Sequence, residues 1–111
     1  MTRLKTSKTA KLTNVAKTVQ AHVKNGRVID TRHSKVRQNE RLITFSEILQ
    51  ILENGWHEKV KDEWKAEFNA WNYSIRGSTL DGVELRVPVF FDDKDPKMTY
   101  IGIVTVIKLA K

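Results

Sequence analysis

Two stretches in the first half of the chain place apolar residues three or four positions apart, which predicts helices. The first stripe consists of Leu12, Val15, Ala16, Val19 and Val23. Asn25-Gly26 follows it, and this pair is typical of a helix end. The second stripe consists of Phe45, Ile48, Leu49 and Leu52. Between the two stripes, the polar stretch 31–40 predicts a short helix with few core residues.

The second stripe carries signals at both of its ends. Thr44 and Glu47 have the spacing of a capping box, in which each side chain satisfies a backbone N–H that the helix leaves unpaired. Gly55 is expected to end this helix in the left-handed conformation. Between the first predicted helix and the polar stretch 31–40, Val28-Ile29 is expected to form a short extended link.

From residue 71 onward the pattern changes to alternation, which predicts β-strands. Apolar and polar residues alternate over 71–78 and 83–91, and Asp81-Gly82 between them is a strong signal for a two-residue hairpin turn. Pro88 has no N–H to donate, so its strand is expected at an edge or locally bulged. The apolar stretch TYIGIVTVIKL predicts a final, central strand.

Helices followed by strands predict an α+β fold, with the N-terminal helices packed on a three- to four-stranded antiparallel sheet. We expect one domain over residues 1–111. Within it, 1–11 is expected to be a frayed basic N-terminus, 12–55 the helical layer and 56–109 the sheet. The segment after Gly55 fits either a helix or a strand, and a strand over 57–64 is the interpretation adopted.

The net charge of the 111-residue chain is +7, and it is unevenly distributed. Residues 1–41 hold eleven Lys or Arg against two acids, whereas 42–111 hold nine against eleven. A basic half next to a near-neutral half is typical of proteins that bind polyanions, although it also occurs on ordinary soluble surfaces. Candidate nucleic-acid contacts are Lys11, Lys17, Lys24, Arg27, Arg37 and Arg86.

Several kinds of chemistry lack the residues that they need. The chain has no cysteine for a disulfide or a thiolate metal site. His22, His33 and His57 have no metal-binding spacing, so no metal site is predicted, and there is no P-loop or G-x-S-x-G element. No cofactor is expected. The basic start lacks the apolar core of a signal peptide and no run is long enough for a membrane helix, so we expect a cytoplasmic protein without a membrane partner.

Metal-independent RNA cleavage needs none of the groups that are missing here, because side chains such as His, Tyr, Thr, Arg and Lys suffice for it. A base removes the proton of the ribose 2′-OH, which attacks the adjacent phosphate, and an acid protonates the departing 5′ oxygen. Histidine titrates near neutral pH, and arginine matches phosphate oxygens with its paired N–H groups. Because the nucleophile is the 2′-OH, such an enzyme would act on RNA and not on DNA.

Three segments resemble, in their order, the domain-of-unknown-function family 4258: VKNGRVIDTRHSKVRQNERLITFSEILQILENG, KDEWKAEFNAWNYSIRGSTLDGVELRVPVFFDD and IVTVIKL. The motifs are a histidine opening a short helix, a second helix ending in Asn-Gly and a W-x-Y-x-I-x-G-x-T strand, over about residues 23–109. The layout is more weakly similar to MqsR-type toxins. Both resemblances imply the RelE-like, or barnase–EndoU–colicin–RelE, group of small ribonuclease toxins. They imply a curved antiparallel sheet that binds RNA on its open face, with ribosome-associated mRNA as one candidate, and an antitoxin protein as partner.

The resemblance also implies a catalytic site. His33 matches the helix-opening histidine and is the candidate general acid or base, although it also suits a helix start. Arg76 would hold the scissile phosphate and Tyr73 would donate a proton or stack on a base. Thr105 in the last strand would orient a phosphate oxygen. In a regular strand Tyr73 and Arg76 point to opposite faces, so His33 with Arg76 is the preferred pair.

Arg86 raises a separate question, because the predicted turn places it opposite Gly77 and close to Arg76. Two guanidinium groups near a glycine suit an anion site, but pairing with Glu84, Asp62 or Glu58 is the competing explanation. The leading hypothesis is therefore a small endoribonuclease toxin. The alternatives are a non-catalytic nucleic-acid-binding module that uses the basic N-terminal half, and a protein-interaction domain that uses a patch of Trp56 and Trp64.

Overall fold

The computed structural model describes residues 8–91 and 100–109, which form three α-helices and a mixed β-sheet. This is the predicted α+β class. The elements in chain order are α1 (Val15–Lys24), β1 (Val28–Asp30), α2 (Arg32–Arg41), α3 (Phe45–Asn54), β2 (Trp56–His57), β3 (Glu63–Lys65), β4 (Ala70–Ser78), β5 (Glu84–Phe91), β6 (Ile101–Ile103) and β7 (Ile107–Lys108). Two 3-10 turns, Lys59–Lys61 and Ala66–Phe68, flank β3.

Within the described residues, seven strands form the sheet. Its main path runs β1-β6-β5-β4-β2, and β3 and β7 pair with β4 and β5. β1 runs parallel to β6, whereas the other pairs are antiparallel. The prediction of a three- to four-stranded antiparallel sheet is therefore wrong in strand number and in the direction of the first pair. Strands of two or three residues are too short to show an alternation of their own, so the sequence pattern merged β2 with β3 and β6 with β7, and it treated β1 as an extended link.

α1 and α3 pack on one face of the sheet, which we call the covered face. Their fully buried side chains are Val15, Val19, Ile48, Ile51 and Leu52. The strand side chains that complete this core are Tyr73, Ile75, Leu85, Val87, Val89, Phe91, Ile101 and Ile103. Every second residue of β5 is buried, as its alternation predicted, because successive side chains of a strand point to opposite faces.

The helix ends largely follow the predicted signals. α1 ends with Gly26 at φ +68°, and the Arg27 N–H donates to the His22 carbonyl at 2.9 Å, which is the Schellman arrangement. α3 begins with the predicted capping box: the Thr44 hydroxyl accepts from the Glu47 N–H, and the Glu47 carboxylate accepts from the Thr44 N–H. Both predictions are confirmed because these signals act within a few residues.

Gly55 ends α3 in extended conformation, at φ −81°, so the predicted left-handed stop is wrong. Its small size is needed for another reason. A Cβ at this position would lie 2.5 Å from both the Ile51 and the Arg76 carbonyl oxygens. Glycine therefore allows the end of the helix to approach the β4 backbone closely, which is a tertiary requirement.

The predicted strand over 57–64 is interrupted. β2 and β3 both pair antiparallel with β4, but the Lys59–Lys61 turn separates them. At the gap, the Ser74 N–H of β4 donates to the Asp62 carboxylate at 2.8 Å. A side chain thus replaces the backbone acceptor that a continuous strand would supply, and a pattern of apolar residues does not reveal such a substitution.

Thr79 pairs with Val83 beyond the ends of β4 and β5, so the hairpin loop consists of three residues, 80–82, and not the predicted two. The Thr79 N–H donates to the Val83 carbonyl at 2.9 Å, and the Gly82 N–H donates to the Thr79 carbonyl at 3.0 Å. Gly82, at φ +82°, takes the left-handed position that a three-residue hairpin loop requires at its end. Asp81-Gly82 located the turn correctly but did not determine its length.

This difference shifts the hairpin register by one residue. Arg86 lies directly opposite Arg76, whereas the prediction placed it opposite Gly77. The pairing through Gly77 is regular, so it contains no bulge that would bring Tyr73 and Arg76 to one face. The two arginines therefore share a face, and Tyr73 points to the other.

The predicted final strand is broken into β6 and β7. Ile103 pairs with Val89 and Ile107 with Arg86, so three residues oppose two and form a bulge. The Pro88 carbonyl accepts from the Val104 N–H there, at 2.9 Å. The edge alternative for Pro88 is wrong because β5 lies between β4 and β6, and the extra residue of the bulge is in the partner segment 104–106 and not in β5.

Candidate functional site

The face of the sheet opposite α1 and α3, which we call the open face, is not covered by a helix in residues 8–91 and 100–109. α2 belongs to the other side, because Gln38 donates to the Asp30 carboxylate at 2.7 Å. Asp30 alternates with Ile29, whose side chain is exposed on the open face. The open face is therefore accessible across most of the sheet.

Aromatic rings occupy three places on the open face. Trp56 lies opposite Arg76 in β2 and is 54% exposed. Phe90 lies opposite Gly102, where an added Cβ would overlap the Phe90 ring. Tyr100 precedes β6 by one residue and is 44% exposed. These rings are separated from each other and do not form a packed cluster.

Arginines lie beside these rings. The Arg27 guanidinium is 5.8 Å from the centre of the Tyr100 ring, in a cation–π contact. Arg76 and Arg86 are paired across β4 and β5, next to Trp56. From the β1 edge to the β2 edge, basic and aromatic side chains are therefore interspersed on the open face, in the order Arg27, Tyr100, Phe90, Arg86, Arg76 and Trp56.

Arg76 and Arg86 hold two carboxylates, and we call these four residues the arginine cluster (Glu58, Arg76, Glu84 and Arg86). Arg86 donates from Nε to Glu58 Oε1 at 2.7 Å and from Nη2 to Oε2 at 3.3 Å. Arg76 donates from Nη1 to Glu58 Oε2 at 3.0 Å and from Nε to Glu84 Oε1 at 3.2 Å. The predicted anion site is thus filled by carboxylates of the same chain.

Electrostatics inside the arginine cluster favour the charged forms of its two carboxylates. The hydrogen bond from Arg86 lowers the pKa of Glu58 against the opposing effect of burial, and Arg76 lowers it further. The Ser78 hydroxyl and then Arg76 lower the pKa of Glu84. Two positive and two negative groups make the cluster neutral, so the ion-pair explanation for Arg86 describes this structure.

A second set of polar side chains surrounds Asp62, which lies between β2 and β3, and we call it the edge cluster (Lys11, His57, Asp62 and Tyr73). The Asp62 side chain is 0% exposed. Its Oδ2 lies 2.8 Å from His57 Nε2 and 3.0 Å from Lys11 Nζ, while Oδ1 accepts from the Ser74 N–H. Asp62 therefore joins the N-terminal segment to the sheet.

Tyr73 is buried beside this carboxylate. Its hydroxyl accepts from the Leu12 N–H at 2.9 Å, and its ring meets His57 and Phe91 edge-on. Burial raises the pKa of Tyr73, and the charge of Asp62 raises it further. A cavity of about 100 Å³ lies between the N-terminal segment and the Trp71, Tyr73 and Phe91 rings. A buried phenol that accepts a backbone hydrogen bond is suited to packing more than to proton donation.

The predicted catalytic pair of His33 and Arg76 is not brought together. His33 is exposed in the first turn of α2, directly after β1 at one edge of the sheet. Arg76 is in β4, with β6 and β5 between the two strands. Three strand spacings amount to about 14 Å. Thr105 is partly exposed in the bulge between β6 and β7, two residues after Ile103, whose carbonyl accepts from the Thr31 hydroxyl at the start of α2.

The predicted nucleic-acid contacts divide between different surfaces. Lys17 and Lys24 are exposed on α1, and Arg37 on α2 donates to the Glu40 carboxylate at 2.8 Å. Lys11 belongs to the edge cluster. Arg27 and Arg86 are therefore the predicted contacts that share the open face with Arg76.

The two tryptophans proposed as a protein-binding patch do not form one surface. Trp64 lies opposite Trp71, with the two rings 5.6 Å apart and edge-on. Trp71 alternates with the buried Ile75 and Tyr73, so this pair faces the covered side, whereas Trp56 faces the open side. The prediction of a shared patch is wrong because the Lys59–Lys61 turn intervenes.

Sequence reasoning named Glu58 and Asp62 only as alternative partners of Arg86, and it missed that Asp62 binds His57 and Lys11. The missed signal is strand alternation: His57 and Glu58 are adjacent, so they point to opposite faces and each meets a different cluster.

Comparisons of this chain with protein-family models, with curated proteins and with solved structures found no match. The resemblance to the domain-of-unknown-function family 4258 and to RelE-like toxins therefore stays a prediction. In the described part of the chain, no group of three His, Asp or Glu side chains is arranged to hold a metal ion. No helix there is long and apolar enough to cross a membrane.

Proposed function

We propose that this protein binds single-stranded RNA across the open face of its sheet. The observation that carries the proposal is the row of aromatic rings and arginines, with Trp56 and Tyr100 exposed, on a face without a helix in the described residues. Unpaired bases stack on aromatic side chains, and guanidinium groups bind phosphate oxygens. A net charge of +7 favours the approach of a polyanion.

Single-stranded RNA fits this face better than a duplex. The base faces of a duplex are stacked on each other and cannot reach side chains on a sheet, whereas unpaired bases can turn outward onto them. From Tyr100 to Trp56 the path crosses three strand spacings and about six residues, or roughly 25 Å. This length accommodates several nucleotides in extended form.

RNA cleavage and an antitoxin partner remain predictions that rest on the family resemblance. Cleavage needs an imidazole or an equivalent group beside the bound phosphate. His57 and His22 are on the covered side, where His22 meets the Phe91 ring, and His33 is on α2. Binding is therefore the function that the geometry supports best.

A binding titration with one substituted ring tests the proposal. We expect Trp56→Ala to weaken binding of a short fluorescent single-stranded RNA about tenfold, because stacking on one base contributes about 1–3 kcal/mol. Leu80→Ala is the control, because Leu80 is 89% exposed in the hairpin loop, outside the strands. Affinity should fall as salt increases, since phosphate contacts release counterions. Absence of binding, or equal affinities of the two variants, would contradict the proposal.

The same RNA tests the nuclease prediction. Incubation with the wild type in excess chelator should give products ending in a 2′,3′-cyclic phosphate if the 2′-OH attacks without a metal. Loss of these products in His33→Ala with Arg76→Ala would support the predicted catalytic pair. If the RNA is bound but not cleaved, also when ribosomes are present, the protein is a non-catalytic RNA-binding protein.

A further inference from the structure

We propose that Arg76, Arg86 and Ser74 form a phosphate-binding site on the open face that the Glu58 carboxylate fills until phosphate displaces it. The inference rests on the proposed function for the source of that phosphate, which is the RNA backbone. The site itself is defined by the contacts of Glu58 and can be tested without RNA.

The first argument is the arrangement of donors around Glu58. Arg86 places two parallel N–H groups on the two carboxylate oxygens, at 2.7 and 3.3 Å, and Arg76 adds a third donor at 3.0 Å. Paired donation from one guanidinium with a second guanidinium beside it is equally suited to phosphate, whose oxygens have similar spacing and more charge. The carboxylate thus takes the place of two phosphate oxygens.

The second argument concerns the Ser74 hydroxyl, a hydrogen-bond donor that does not bond to Glu58. The Ser74 hydroxyl is buried and has no hydrogen-bond partner among the described residues. Ser74 lies two residues before Arg76 on the same face, and its carbonyl accepts from the Glu58 N–H at 2.8 Å. A buried hydroxyl without a partner is costly, and a tetrahedral phosphate offers oxygens that a planar carboxylate lacks.

The third argument concerns what must move. Glu58 directly precedes the Lys59–Lys61 turn, in which no residue is buried. Withdrawal of Glu58 therefore rearranges an edge turn and leaves the core in place. Asp62, four residues later, holds the far end of the turn to β4 through the Ser74 N–H. The turn can release Glu58 while both of its ends remain attached to the sheet.

This arrangement makes Glu58 a competitor of the ligand. A site that is free in only a fraction of the molecules binds with an affinity reduced by that fraction. Replacing the carboxylate by an amide removes the competing charge while it keeps the side-chain volume. Glu58→Gln should therefore expose the site and strengthen anion binding.

The experiment measures inorganic phosphate and RNA separately. In Glu58→Gln, added inorganic phosphate should shift the NMR signals of the Arg76 and Arg86 Nε–H groups saturably, at concentrations about tenfold lower than in the wild type. RNA affinity should rise about tenfold as well. Glu67→Gln is the control, because Glu67 is exposed and outside the cluster. Adding Ser74→Ala to Glu58→Gln should weaken phosphate binding.

The outcomes separate the two proposals. If RNA binds the wild type but Glu58→Gln gains no affinity for phosphate or RNA, the inference is wrong and RNA binds elsewhere on the face. If Glu58→Gln binds phosphate and no variant binds RNA, the site exists and the proposed function fails. If Glu58→Gln does not fold, the test uses the wild type instead. The inference would be wrong if saturating RNA did not shift the NMR signals of the Arg76 and Arg86 Nε–H groups.

Discussion

The two faces of the sheet are made from the same strands, yet they are held in place by different kinds of contact. On the covered face, side chains and backbone are packed against α1 and α3, down to the contact between Gly55 and the Arg76 carbonyl. On the open face, charged side chains mainly hold each other, as in the arginine cluster. The covered face therefore contains the apolar core, whereas on the open face the proposed ligand would compete with contacts between charged side chains.

Two buried carboxylates, four residues apart, show the same difference on a smaller scale. Asp62 bonds a backbone N–H, His57 and Lys11, so its partners include the main chain of β4. Glu58 bonds two guanidinium groups on the open face. Loss of Asp62 leaves a strand N–H without a partner, whereas loss of Glu58 leaves two arginines that water or phosphate can reach.

The largest effect is expected at Gly55 on the covered face. Gly55→Ala should lower the free energy of unfolding by about 4 kcal/mol, because its Cβ would meet two backbone carbonyl oxygens that cannot turn away. Gly77→Ala is the comparison, with a smaller loss expected: its Cβ would lie 3.3 Å from the Gly55 Cα and from the Ile51 side chain, so the neighbours need to move by only a few tenths of an ångström. Urea unfolding measures both. Equal losses would show that the helix does not approach β4 so closely.

A smaller loss is expected in the edge cluster. Asp62→Ala should cost about 3 kcal/mol of unfolding free energy, because it leaves the buried Ser74 N–H unsatisfied and removes the partner of His57. Glu67→Ala, at an exposed position, should change the value by less than about 0.5 kcal/mol. RNA affinity of folded Asp62→Ala should remain near the wild-type value. If Asp62→Ala did not change the free energy of unfolding, Asp62 and Glu58 would not differ in their importance for stability.

The smallest effect concerns acid stability on the open face. The pKa of Glu58 in the folded protein is below its ordinary value of 4.5, mainly because of Arg86. Its contribution to stability is therefore complete above about pH 4.5 and is lost as the pH falls through the lower, folded value. The stability difference between wild type and Glu58→Gln should shrink on acidification, measured by urea unfolding at neutral pH and well below pH 4.5. If the stability difference between wild type and Glu58→Gln did not change with pH, the ion pairs of Glu58 would not contribute to stability.

Features that act over a few residues were predictable from the sequence. The capping box at Thr44, the Schellman end at Gly26 and the alternation of β5 all appear as expected. The α+β class follows from them, since helical and alternating segments occupy separate halves of the chain. The presence of Arg76 and Arg86 on either side of a hairpin was also visible, although their register was not.

What only the tertiary structure decided depends on residues far apart in the chain. The parallel pairing of β1 with β6, the hairpin loop of three residues and the close approach at Gly55 place His33 far from Arg76 and Glu58 between the two arginines. Periodicity reports which side of an element is apolar, because burial acts on each element separately. It does not report which elements become neighbours, because that depends on the packing of the whole chain.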